Sequence, residues 1–165
     1  MVRIRNVPIG GKFLVKSNIL DDEVQTSWAR LVRVSQSVLA SVEADLRRAG
    51  YPPLAQYDAL LELRRVGDKG LRPFELRREM LLAQYSVSRL VDRLVKSGFV
   101  NRHDSVEDGR GQVLTITTKG HDLLKSMWPK YREAIQAHFA DKLAPTEVQS
   151  LSQLMAKLNN RNPVE

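Results

Sequence analysis

Between residues 84 and 117 the hydrophobic period of the chain changes once, and that change excludes most architectures. Val87, Leu90, Val91, Leu94 and Val95 recur at the spacing of one helix face, predicting a helix over 84–97 that Gly98 ends. "QVLTIT", 112–117, alternates instead, with Val113, Thr115 and Thr117 on one face and Leu114 and Ile116 on the other. Paired with "FVNR", 99–102, it predicts two antiparallel strands around a loop of about ten residues. Gly109 and Gly111 permit a tight turn in that loop and put Arg110 at its tip. A helix with a small ribbon directly behind it is the part around which everything else must be arranged.

The flanking segments read as helices. Residues 21–49 carry a stripe of Val24, Trp28, Leu31, Ser35, Val38, Val42 and Leu46, open on the acidic "DDE", and stop at Gly50, Pro52 and Pro53. A second helix fits 54–66, with Tyr57, Leu60 and Leu61 inward, and "GDKG", 67–70, is a turn. Pro73 opens a short helix, 73–80, that sends Phe74 and Leu76 into the core, with a break at 81–83. After the ribbon, Thr118 caps a helix over 119–140 with Leu124, Met127 or Trp128, Tyr131, Ile135 and Phe139 inside. Pro129 within it removes a hydrogen bond, costs ~3 kcal/mol and predicts a kink. Pro145 starts a last helix bearing Val148, Leu151, Leu154, Met155 and Leu158. The fold class is mainly α with a small β-hairpin. Both terminal helices have more apolar surface than a small central unit can cover, so a second copy of the chain is expected to cover it, giving a homodimer.

The chain has 165 residues and no cysteine, which excludes disulfides, thiolate metal sites and thiol redox sensing and suits a reducing cytoplasm. No apolar run approaches the ~20 residues of a membrane span, and Lys12 and Lys16 interrupt the N-terminal apolar segment. The net charge is +7, with an excess of +4 in residues 1–20 and another +4 in 64–110, a distribution that suits a polyanion. His103, His121 and His138 are scattered, so neither metal nor cofactor is expected. No Ser-His-Asp spacing, phosphate-binding glycine loop or carboxylate pair suggests an enzyme.

Removing the core stripe from 84–97 leaves Gln84, Tyr85, Ser86, Ser88, Arg89, Asp92, Arg93 and Lys96. Hydroxyls, an amide and guanidinium groups match the base edges and phosphates of a major groove, which admits one helix. The alternative is an ordinary solvated face. A short helix, a break, this helix and an arginine-tipped ribbon together make a winged helix-turn-helix, with Arg110 set to enter the neighbouring minor groove. Double-stranded DNA is the partner this arrangement fits.

"YSVSRLVDRLVKSGFVNR" followed by "EDGRGQVLTITTKG" closely resembles the MarR family of bacterial winged helix-turn-helix transcriptional regulators, over about residues 25–158. By that resemblance Ser86, Ser88 and Arg89 fall in the reading helix and Arg110 is the wing arginine, supported through a salt bridge by Asp108. Ala83 stands where members often have a capping serine, and Tyr85 is bulky for a reading helix. The resemblance also implies a small aromatic or phenolic effector, for which Trp28, Tyr57 and Tyr131 are candidates, although each also fits simple core packing.

The expected organisation is a basic extension over 1–20, a first dimerisation helix with its connection over 21–53, a DNA-binding region over 54–118 and C-terminal dimerisation helices over 119–165. The expected function is a cytoplasmic homodimeric repressor on a near-palindromic operator. The alternative is a ligand-independent architectural DNA-binding protein, which a DNA-touching basic tail at Arg3, Arg5, Lys12 and Lys16 would favour.

Overall fold

A computed structural model describes residues 20–80, 86–104 and 111–158 of the protein. It divides into a unit ending at Gln36 and a second beginning at Ser37. In the first, helix α1 (Asp22–Arg48) begins where Asp21 Oδ1 accepts the Glu23 amide at 2.7 Å, satisfying one of the amides a helix start leaves open.

The second unit is built around α2 (Leu54–Val66). Leu54, Ala55, Tyr57, Asp58, Ala59, Leu60 and Leu63 are all buried, too broad a set for a helix packed on one side only. Accordingly α2 meets α3 (Pro73–Glu79), α4 (Val87–Lys96), β2 (Gln112–Ile116) and α5 (Thr118–His138). Val42 and Leu46 from the later turns of α1 join this core.

Strand β1 (Val100–Asp104) pairs antiparallel with β2, setting Val100 opposite Ile116 and Asp104 opposite Gln112. The strand is therefore displaced from the expected 99–102. Phe99 belongs to the helix exit, because its amide donates to the Leu94 carbonyl at 2.9 Å while Gly98 turns at φ +72°. The turn at 67–70 does more than reverse the chain: it leads Leu71 onto β2, where Leu71 and Leu114 exchange amide bonds at 3.1 and 2.9 Å. Gly70 allows this approach, since a Cβ there would sit 2.6 Å from the Leu114 carbonyl oxygen.

One inward assignment, Phe74, needs correction, and one open alternative is resolved. Phe74 is 59% exposed, whereas Leu76 and Met80 are buried. On a helix of two turns those two residues define the inner face, and Phe74, two positions from Leu76, points away from it. Met127 rather than Trp128 fills the core, in register with Leu124 and Ala134, leaving Trp128 47% exposed. In the first unit Val24 and Trp28 of α1 are exposed, while in the second Val42 and Leu46 are buried with Leu39 packed beside them.

The cap of α5 is Thr117, one residue before the expected Thr118. Its Oγ1 accepts the Gly120 amide at 3.1 Å and donates to the Gly98 carbonyl at 2.8 Å, tying the helix to the exit of α4. α5 continues unbroken past Pro129. Beyond it, α6 (Pro145–Leu158) starts at the expected proline and has no buried residue.

Candidate nucleic-acid interface

α4 begins later than its periodicity implies. Ser86 is its extended N-cap residue, with φ −61° and ψ 105°, and the Ser86 carbonyl accepts the Leu90 amide at 3.0 Å. The helix therefore starts at Val87 rather than at residue 84. Gln84 and Tyr85, with Ala83, lie outside the described residues, as do Asp108 and Arg110.

Val87, Leu90, Val91 and Leu94 are buried and fix the rotation of α4 about its axis. Ser86, Ser88, Arg89, Asp92, Arg93 and Lys96 consequently face outward together. Helical spacing divides them further. Ser88 and Asp92 line the flank toward β1, Ser86 and Arg93 the flank toward α2, and Arg89 and Lys96 the crest between. Arg89, Arg93 and Lys96 enter no ion pair among the described residues, so three cations are left for a ligand.

The flank toward β1 is braced. Arg102 Nη2 of β1 donates to Asp92 Oδ1 at 2.7 Å, joining the ribbon to the middle of α4. Across the ribbon, His103 Nε2 and Thr115 Oγ1 lie 3.2 Å apart. Arg72, just before α3, places its guanidinium beside Gly111 at the root of the ribbon tip, 3.4 Å from where a Cβ would stand. Its backbone amide donates to Glu75 Oε2 at 2.7 Å. Sequence reasoning missed Arg72 and Arg102 because both depend on contacts between elements, which a periodicity does not encode.

A buried helical stripe, an outward cationic face and an adjoining ribbon form one surface, and comparison with known proteins gives it a lineage. The MarR family model matches residues 49–111, from the end of α1 to the tip of the ribbon.

Over that segment the chain is similar to the MarR family. An uncharacterized HTH-type transcriptional regulator of Bacillus cereus is 27% identical over 82% of this chain and 88% of its own length. The transcriptional repressor MprA of Escherichia coli is 29% identical over 62% of this chain and 58% of MprA. Among solved structures, Sco3205 is described as a MarR family transcriptional regulator from Streptomyces coelicolor in complex with DNA. It superimposes with a TM-score of 0.73 at 28% identity, covering 86% of this chain and 88% of Sco3205. The MarR fold is thus present here as a mainly helical protein with a two-stranded antiparallel wing.

Of the candidate effector residues, the structure brings two together. Tyr57 and Tyr131 meet edge to face with ring centroids 5.2 Å apart, and Trp128 extends the cluster at 6.0 Å from Tyr131. Burial pushes both phenols above the ordinary tyrosine value, and for Tyr131 the Asp58 carboxylate adds to the shift. Trp28 lies in the first unit and is 66% exposed. Among the described residues no group of three or more His, Asp or Glu is placed to hold a metal ion, and no helix is long and apolar enough to cross a membrane.

Proposed function

We propose that this protein is a homodimeric, sequence-specific DNA-binding regulator of the MarR family that acts in the cytoplasm as a repressor. α4 enters a major groove with Arg89 on its crest and Ser86, Ser88 and Arg93 beside it. Gln84 and Tyr85 precede it toward the same groove, and Arg110 on the wing tip, supported by Asp108, reaches the adjoining minor groove. The observation that carries this reading is the outward face of α4, whose three cations enter no ion pair among the described residues and are held in one orientation by four buried neighbours.

The homodimer is supported by α6. Its Leu154, Met155 and Leu158 are 55%, 38% and 67% exposed, and a helix that buries nothing in its own chain needs another surface. A second copy would place two reading helices about one turn of duplex apart, ~34 Å, and make the operator near-palindromic. The complex of Sco3205 with DNA supports the partner class, and MprA, a repressor by name, supports the direction of regulation. The region 54–118 then carries the DNA contacts, between dimerisation segments 21–53 and 119–165. The cluster of Tyr57, Tyr131 and Trp128 supports a small aromatic or phenolic effector, which would act by favouring a separation of the two reading helices that no longer matches the groove spacing.

Selection of duplexes from a random library by the full chain tests the reading. It should enrich one near-palindromic site bound by two chains per duplex. Retention of all sequences alike, or binding by single chains, would overturn it.

A further inference from the structure

The start of α2 and the near flank of α4 leave a hollow between them. Pro53, Ala55 and Gln56 form one wall, and Ser86, Arg89 and Arg93 the other. Its polar groups are two guanidiniums, a hydroxyl and a side-chain amide, with no carboxylate, and the first turn of α2 has no acidic residue. A lining made of donors in this proportion suits an anion with several acceptor oxygens. The backbone amide of Gln56 is already taken by the Pro53 carbonyl at 2.9 Å, whereas its side chain makes no hydrogen bond among the described residues.

Position decides what kind of anion this is. Base edges are met by the crest of a helix lying in the groove, and the duplex backbone passes along its flanks. The hollow is on the flank opposite the Asp92–Arg102 brace, outside the reach of the wing side. We infer that it seats one backbone phosphate of bound DNA, with Gln56 donating its side-chain amide and Arg93 its guanidinium. The inference rests on the DNA-binding reading and deepens it: Gln56 becomes a contact residue supplied by α2, and Arg93 holds register while Arg89 addresses bases.

The test uses the full chain, the duplex recovered by selection and an unrelated duplex, with fluorescence anisotropy at several salt concentrations. Gln56→Ala should weaken binding to both duplexes alike, by about tenfold, because a hydrogen bond to a charged oxygen is lost. The salt slope should not change, since a neutral amide releases no counterion, whereas Arg93→Ala should reduce that slope by about one. Gln56→Glu should bind more weakly than Gln56→Ala, with both variants melting as the wild type does. Variants at Gln56 that bind like the wild type, or lose affinity only for the selected duplex, would overturn the phosphate seat and leave the DNA reading standing. A wild-type protein that binds neither duplex would overturn the DNA reading itself.

Discussion

Asp92 and Arg102 join α4 to the wing through a 2.7 Å hydrogen-bonded ion pair, although Asp92 remains 65% exposed. A pair this open to solvent orients more than it stabilises. Asp92→Ala and Arg102→Ala should therefore each cost less than about 1 kcal/mol in urea unfolding. The double variant should cost less than the two single costs added together, because they share one interaction. Strictly additive losses would show that the pair is not coupled.

Gly120, in the first turn of α5, packs against the entry to the ribbon, β2 and α2. A Cβ there would lie 2.5 Å from the Phe99 carbonyl oxygen and 2.7 Å from Ile116 Cγ1. Alanine ordinarily improves a helix by up to ~1 kcal/mol, but overpacking against backbone costs ~1–3 kcal/mol or more and dominates here. Gly120→Ala should destabilise the protein, as a lowered urea midpoint with an unchanged slope. A raised midpoint would contradict the packing described.

Elements with hard chemical stops were readable from the residues alone. The helix at Leu54–Val66 lies where Pro53 and Gly67 bound it, and α6 starts at Pro145. The outward set on α4 was readable because Val87, Leu90, Val91 and Leu94 admit one rotation only. What escaped was decided by contact. Phe74 is apolar in a short helix, and composition alone does not say which of two faces it takes. Leu71 joins the wing through a single bridge, too short to leave an alternating pattern. Gln56 reads as an ordinary polar position on α2 until α4 is packed beside it.

Thr117 links two elements with one hydroxyl, accepting from the Gly120 amide and donating to the Gly98 carbonyl. Thr117→Val keeps the shape and removes both bonds. A loss of about 1–2 kcal/mol is expected by thermal or urea unfolding. An unchanged midpoint would show that the cap adds nothing.

His138 on α5 donates through Nε2 to Asp45 Oδ2 on α1 at 2.9 Å. That bond, helped by Arg48 against the opposing effect of burial, holds the Asp45 carboxyl below its ordinary value of 3.8. A depressed carboxylate stabilises the fold above its unfolded pKa, and that stability is lost as pH falls through the folded value. Wild type should thus exceed Asp45→Asn in urea midpoint above about pH 4, with the gap closing on further acidification. A gap independent of pH would contradict this assignment.

Arg89 stands at the crest of α4, and the affinity of Arg89→Ala for the selected operator measures the central claim most directly. By anisotropy titration at fixed salt, the variant should bind the operator at least about tenfold more weakly while losing much less for an unrelated duplex, narrowing the ratio between them. An Arg89→Ala protein that keeps both the wild-type affinity and the wild-type ratio would show that this face does not read DNA.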